Sequence, residues 1–261
     1  MENSSSDKGE DAKHSPENSD FNENSTEETL QGLDFYPERR GGKIARSWFR
    51  NLILGEGNDN LQKIRCERNI NNVIGQSPLL KLLISALKSS GCDFDLNRHV
   101  CCEPCSKLVT GGYDAEMNQI VVCQNTATNK SSVHGALAHE MIHMFDHCRA
   151  ELDFRDVDHL LCTEIRAANL MHCSFLSSMV MGTASFIRIK KQHQECVKRK
   201  ALASLMAVRD ISEADANAAL DRVFSKCYND LEPLGRHLRR NSRDMERVYR
   251  ERYLYGYGFA S

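Results

Sequence analysis

The segment His139-Glu140-Met141-Ile142-His143 constrains this chain more than any other, because it repeats histidine at helical spacing within an apolar stretch. Residues four apart on a helix share one face and lie about 6 Å apart along the axis. Both imidazoles can then bind one Zn²⁺, and Glu140 lies beside them without being a ligand. The pattern predicts a zinc peptidase in which Glu140 is the general base. The alternative is a core helix that carries two histidines by coincidence.

The residues before this helix predict the surroundings that such a site needs. The run Gln119–Cys123 is short and apolar, which is typical of a strand, and a polar loop follows it. Ser131 or Ser132 is expected to cap the helix, and another strand is expected at residues 108–110. The predicted fold class is therefore α+β, a mostly helical, zincin-like domain with a small sheet or hairpin.

A catalytic zinc ion also needs a third protein ligand and an open fourth position. Glu164 follows His143 by 21 residues, on a second predicted helix that Asp156 or Asp158 would cap. A turn between the two helices would bring Glu164 to the histidine pair, which is the gluzincin arrangement. In the alternative interpretation, Glu164 pairs with a nearby arginine on a solvated face. Weaker candidates for the third ligand are His159 and Glu151.

Two further residues are candidates for supporting the ligands. Asp146 lies about 10 Å from His139 along the helix axis, too far to share one ion with it. It follows His143 by three residues and could orient that ligand by accepting a hydrogen bond. A solvent-exposed Asp146 is the alternative. Arg166, two residues after Glu164, could hold a carboxylate or polarise a substrate carbonyl.

Two segments carry a specific resemblance: residues 139–150, HEMIHMFDHCRA, and residues 163–170, TEIRAANL. With Gly111-Gly112-Tyr113 and further similarity from about Cys66 to Gly235, they resemble one family of mitochondrial inner-membrane metalloproteases. Members of that family process and help to assemble the membrane sector of ATP synthase. The similarity covers roughly two thirds of the chain.

The resemblance implies one Zn²⁺ ion per chain, with His139 and His143 as ligands and Glu140 in catalysis, while Glu164 still rests on spacing. It implies the mitochondrial intermembrane space, peripheral contact with the inner membrane, and a polypeptide substrate. That substrate is the precursor of an ATP synthase membrane subunit, which loses an N-terminal segment. A chaperone-like role in assembly is implied as well. We expect the substrate to add a strand beside Gln119–Cys123.

Composition and charge predict three regions. With 261 residues and 41% hydrophobic content, the chain can bury one sizeable core, which we place at residues 42–235. Residues 1–34 carry ten acidic and two basic side chains and are almost devoid of apolar residues, so we expect a disordered tail over residues 1–41. That composition matches neither a transit peptide nor a secretory signal. Residues 236–261 form an Arg/Tyr-rich C-terminal tail.

Eleven cysteines are many for a reduced compartment. The resemblance favours disulfides formed in the intermembrane space, and buried free thiols are the alternative. A disulfide between Cys196 and Cys227 could link the two helices predicted around residues 201–208 and 214–224. Cys102 and Cys105 have the spacing of a zinc or redox pair, although no second such pair completes a four-sulfur site.

No segment predicts a transmembrane helix, because the longest mostly apolar stretch, residues 176–189, is interrupted and too short. The seven arginines from Arg236 to Arg252 alternate with tyrosines, but acidic residues dilute them and no nucleic-acid fold signature accompanies them. We therefore do not expect nucleic-acid binding, and contact with anionic lipid or a partner is the alternative. Two competing functions remain open: a non-catalytic, zinc-stabilised assembly chaperone, and a nuclear or cytosolic interaction protein.

Overall fold

The structure is a computed structural model that describes residues 48–173, 186–239 and 242–258. The predicted acidic tail, residues 1–41, and most of the apolar stretch at residues 176–189 lie outside these ranges. Within them the chain is mostly helical, with one small sheet, which confirms the α+β prediction. The helices are α1 (Trp48–Gln76), α2 (Pro78–Ser89), α3 (Leu96–His99), α4 (Lys130–Arg149), α5 (Val157–Ala167), α6 (Phe186–Val208), α7 (Glu213–Asn229) and α8 (Asp244–Glu251).

Three short strands form the sheet: β1 (Val100–Glu103), β2 (Gly111–Asp114) and β3 (Gln119–Cys123). The strand β3 is central, pairing in parallel with β1 and antiparallel with β2. The predicted strand at Gln119–Cys123 is confirmed, whereas the one expected at residues 108–110 begins three residues later, at Gly111. Because both edges of β3 are occupied, the prediction that a substrate strand pairs with Gln119–Cys123 is wrong.

Helix α4 carries the histidine motif and is buried on most sides. Its N-cap is Asn129, whose side chain accepts a hydrogen bond from the Ser132 backbone N–H while Ser132 Oγ accepts from the Asn129 N–H. Neither Ser131 nor Ser132 is the cap, because the helix begins earlier and Ser132 is the reciprocal partner in a capping box. The helix packs on α1, α2 and β2.

The described residues contain two main apolar clusters. The first core lies between α1, α2, α4 and the sheet, and the second core lies between α5, α6 and α7. In α2, seven apolar residues pack into the first core. Helix α5 contacts both cores, since Ala167 packs in the first and Leu161 and Ile165 pack in the second.

Ten of the eleven cysteines form five disulfides: Cys66–Cys102, Cys92–Cys148, Cys105–Cys123, Cys162–Cys227 and Cys173–Cys196. The expected Cys196–Cys227 disulfide is wrong, because α5 packs against both α6 and α7. Cys227 on α7 therefore meets Cys162 on α5, and Cys196 on α6 meets Cys173, just after the turn that ends α5. Disulfides themselves are present, as the resemblance implies.

The C-terminal segment packs on the first core. Helix α8 lies against α2, and Leu238, Val248 and Tyr257 are buried in the first core. A 3₁₀ turn, Arg252–Tyr255, follows the helix. None of the helices in the described ranges is long and apolar enough to cross a membrane.

Candidate metal centre and active site

The structure brings the three predicted ligands together. Nε2 of His139 lies 3.1 Å from Nε2 of His143, and these two atoms lie 3.7 and 3.6 Å from the Glu164 carboxylate oxygens. One ligand atom from each residue lies within 4.8 Å of the others. Three nitrogen and oxygen donors converging at such distances could hold a single divalent cation.

Two helices supply these side chains: α4, which packs in the first core, and α5, which contacts both cores. His139, Glu140 and His143 come from α4, where four-residue spacing keeps both imidazoles on one face. Glu164 comes from α5, which begins at the Asp156 cap and packs directly against α4. The cap was one of the two expected, and the contact between the helices is what the predicted arrangement requires.

Burial shifts the pKa of each group toward its neutral form. Burial lowers the pKa of His143 to about 3, and that of His139 falls well below its ordinary value through burial and neighbouring positive charge. Burial raises the pKa of Glu164 to about 7. The pKa of Glu140 is raised well above its ordinary value by burial and by the charge of Glu164.

These shifts test whether the residues fit a metal ion. Glu140 and Glu164 are each 7% exposed, and among the described residues neither carboxyl group has a lysine or arginine within ion-pair distance. Two neighbouring buried carboxyl groups beside two neutral imidazoles form a site short of positive charge. A divalent cation would supply that charge, and neutral imidazole and carboxylate are its ordinary ligands. The donor set fits a metal.

Asp146 reaches His143 indirectly. The Thr163 hydroxyl lies 2.9 Å from Nδ1 of His143 and 2.8 Å from a carboxylate oxygen of Asp146, and Nε of Arg166 lies 2.9 Å from both Asp146 oxygens. The expectation of direct contact between Asp146 and the ligand is therefore replaced by contact through Thr163. Arg166 binds Asp146, not Glu164 or the cleft. Sequence reasoning missed Thr163, although it directly precedes Glu164.

His139 has a different neighbour, which the sequence also did not indicate. A π-helical turn, Ala168–His172, ends α5 and places Nε2 of His172 2.9 Å from Nδ1 of His139. Turns of this kind are often found at functional sites. The next residue, Cys173, is linked to Cys196 on α6, so the turn is covalently tied to a neighbouring helix.

The weaker ligand candidates lie away from the three converging donors. His159 contacts the backbone N–H of Asp153, and Glu151 is exposed. His147 lies 2.8 Å from the Tyr113 hydroxyl. None of these side chains belongs to the group that could hold a metal among the described residues.

A cleft of about 660 Å³ opens over the donors. The segment from Leu108 to Tyr113, which includes the start of the edge strand β2, lines the cleft, and so does α6 from Lys200 to Val208. Gly111 lets β2 pass close to both β3 and α4, because a Cβ there would lie 2.9 Å from the Val121 carbonyl oxygen on β3 and 3.5 Å from Cγ of Glu140 on α4. A substituent at this position would move the strand that borders the site.

The family model of the M76 peptidases matches residues 64–235, a range that contains the cleft and all the converging donors. The chain belongs to this peptidase family. The predicted family resemblance is thus confirmed. The buried Glu140 and its neighbours lie in the part of the chain that matches the M76 peptidases.

Relatives of this M76 peptidase carry consistent names. The zebrafish (Danio rerio) mitochondrial inner membrane protease ATP23 homolog is 39% identical over 228 residues, covering 86% of each chain. The human homolog is 42% identical over 174 residues, which are 66% of this chain and 70% of the human one. The fission yeast (Schizosaccharomyces pombe) protease atp23 is 36% identical over 174 residues, 66% of this chain and 92% of its own. No solved structure matches this chain significantly.

Proposed function

We propose that this chain is a zinc-dependent metalloendopeptidase of zincin-like, gluzincin type. His139, His143 and Glu164 would hold one Zn²⁺ ion, and Glu140 would be the general base. The observation that carries the proposal is the convergence of these donor atoms within 4.8 Å at the base of a cleft, with a second buried carboxyl group beside them. Membership of a peptidase family supports the reaction class.

Glu140 is suited to moving a proton. When bound, Zn²⁺ would polarise the scissile carbonyl and lower the pKa of the attacking water. The raised pKa of Glu140 brings its carboxylate closer to the range in which it can take a proton from water and later give it to the leaving amine. Glu140 directly follows His139, so it lies next to the ligands without coordinating the metal.

The edge strand β2 is the natural place for a substrate peptide. It is the strand next to the metal donors that lies at the edge of the sheet, and Gly111, Gly112 and Tyr113 line the cleft. An extended peptide lying along β2 would use main-chain hydrogen bonds for affinity and the cleft walls for side-chain selection. This placement replaces the one expected beside β3.

We further propose that the chain acts in the mitochondrial intermembrane space on the precursor of an ATP synthase membrane subunit, whose N-terminal segment it removes. Three relatives of this chain are named mitochondrial inner membrane proteases. Five disulfides suit an oxidising compartment. The ATP synthase substrate rests on the family resemblance.

Peripheral contact with the inner membrane would use the C-terminal 3₁₀ turn. Tyr253 and Leu254 are each 67% exposed there, and the exposed Arg243 and Arg250 belong to none of the described ion pairs. Aromatic and leucine side chains beside arginine are suited to the boundary of an anionic bilayer.

Cosedimentation with phosphatidylcholine vesicles, with and without cardiolipin, tests this contact. We expect binding that needs the anionic lipid and is lost in Tyr253→Ser/Leu254→Ser. The control Leu61→Ser removes a leucine of similar exposure, 63%, from α1 and should bind normally. Equal binding by both variants would rule out the turn as the lipid contact.

The proposed activity is tested by comparing mitochondria that carry the wild-type chain with mitochondria that carry Glu140→Gln. The variant keeps the three proposed ligands and removes the base, so zinc content should stay near one ion per chain while processing stops. Sequencing the N-termini of inner-membrane subunits identifies the substrate and its cleavage site. Glu151→Gln, an exposed acidic residue outside the cleft, is the matched control. Identical N-termini with normal ATP synthase assembly would favour the non-catalytic chaperone instead.

A further inference from the structure

A buried chain of polar contacts runs away from the proposed metal site. It begins at Nδ1 of His143, passes through the Thr163 hydroxyl at 2.9 Å, and reaches Asp146 at 2.8 Å. Arg166 then binds both oxygens of Asp146. The four residues are between 1% and 5% exposed, so solvent water does not compete for these contacts.

The chemistry of the groups settles where each proton lies. The Asp146 carboxylate receives hydrogen bonds from the guanidinium groups of Arg166 and Arg149, and an ionised carboxylate only accepts. The Thr163 hydroxyl has one proton and must donate it to Asp146. The remaining capacity of that oxygen is to accept, so Nδ1 of His143 has to be the donor. Its Nε2 lone pair then points toward His139 and Glu164.

The end of this series of polar contacts that lies farthest from His143 is fixed by further hydrogen bonds and ion pairs. Arg166 also donates to the backbone carbonyl oxygens of Asp230, at 2.7 Å, and of Glu232. Arg149 pairs with the side chains of both these acidic residues. Asp146 is therefore fixed from two sides and keeps the Thr163 proton directed toward itself.

We infer that Thr163 is a positioning residue that fixes the tautomer of His143 and presents the Nε2 lone pair of that imidazole to the metal. The inference rests on the proposed function for its purpose, but the hydroxyl geometry stands without it. Proteins commonly orient a ligating histidine by a hydrogen bond from its second nitrogen, and losing that partner typically weakens metal binding by 10- to 100-fold.

Three variants of the full-length chain test the inference. Thr163→Val keeps the shape of the side chain and removes the hydroxyl, whereas Thr163→Ser keeps the hydroxyl. Thr126→Val is the matched control, because Thr126 also donates a side-chain hydrogen bond, 2.6 Å to the Val109 carbonyl oxygen, but does not touch the donors. Zinc affinity is measured by competition with a chelator, and the His143 tautomer of the metal-free protein by ¹⁵N NMR.

We expect the wild type, Thr163→Ser and Thr126→Val to show His143 protonated at Nδ1 and to bind zinc alike. Thr163→Val should lose this tautomer preference and bind zinc about 10- to 100-fold more weakly. A merely structural threonine would lower the melting temperature of Thr163→Val and leave the tautomer and zinc affinity unchanged, which would overturn the inference. If the wild type binds no zinc, the proposed function fails, and the NMR measurement alone decides the role of Thr163.

Discussion

Disulfides cross-link each of the two parts of this molecule internally, whereas polar side chains hold the contact between them at the site. Three disulfides lie within residues 66–148, which supply most of the first core, and two lie within residues 162–227, which supply most of the second. All eleven cysteines are described, and no disulfide links one part to the other. The contact between them at the site is polar, and Asp146 and Arg166 are its centre.

The proposed metal ion therefore lies between two parts of the molecule that no disulfide links. Its histidines come from α4 of the first core and its glutamate from α5, so coordination would join the two parts. The contact between Asp146 and Arg166 has to hold the ligands in place before a metal arrives. We therefore expect metal affinity to respond to damage in this polar contact more than to damage within either core.

The largest effect is expected from Arg166→Met. Arg166 is 1% exposed, and its removal leaves Asp146 buried with only Arg149 as a cationic partner. Breaking a buried ion pair by removing one partner lowers the free energy of unfolding by about 3–5 kcal/mol. Urea unfolding with the disulfides intact measures the loss. Arg222→Met, which removes an exposed partner of Asp158, is the control and should leave stability almost unchanged.

Removing one disulfide should cost about as much as losing Arg166, or less, depending on the length of the loop that it closes. Chain entropy predicts about 4 kcal/mol for Cys162→Ser/Cys227→Ser, which opens a loop of 65 residues. It predicts about 3 kcal/mol for Cys105→Ser/Cys123→Ser, with a separation of 18 residues. Guanidinium unfolding of the two double variants gives both values. If both double variants bind zinc as tightly as the wild type, the polar contact, and not either core, determines binding.

Gly111→Ala tests the edge strand. The added methyl group would lie 2.9 Å from the Val121 carbonyl oxygen on β3 and 3.3 Å from Cβ of Ala136 on α4, so β2 must shift away from both. Because β2 would position the substrate, moving it should reduce peptide cleavage by about 10- to 100-fold. The matched control is Gly75→Ala in α1, where no atom lies within 4 Å of an added Cβ. Normal kcat/KM in Gly111→Ala would exclude β2 as the substrate strand.

The smallest expected effect is on how the free energy of unfolding depends on acidic pH. Burial raises the pKa of Asp230, but the Arg149 hydrogen bond and the charges of Arg166 and Arg149 outweigh it and leave this pKa below 3.8. A carboxyl group with a lowered pKa stabilises the fold above its unfolded value, and the stabilisation is lost as the pH falls through the lowered one. Asp230→Asn should flatten the decrease in unfolding free energy below about pH 4. An unchanged slope would show that another group dominates this range.

Local sequence determined the parts of the site that depend on spacing along one helix. The four-residue repeat placed His139 and His143 on one face of α4, and the Asp156 cap marked the start of α5. The apolar run Gln119–Cys123 predicted β3. These features follow from backbone periodicity and capping, which act within a few residues. The β1 strand and the Asn129 cap were missed because short elements give weak patterns.

Other features were decided by packing between distant segments. The cysteine pairs depend on α5 lying against both α6 and α7, and Thr163 meets Asp146 and His143 only because α5 crosses α4. His172 reaches His139 through a turn that no sequence pattern announced. The sequence by itself determined which residues can bind a metal and move a proton. Only the tertiary structure decided what orients them, because hydrogen bonds and disulfides form between whichever groups the packed helices bring within a few ångströms.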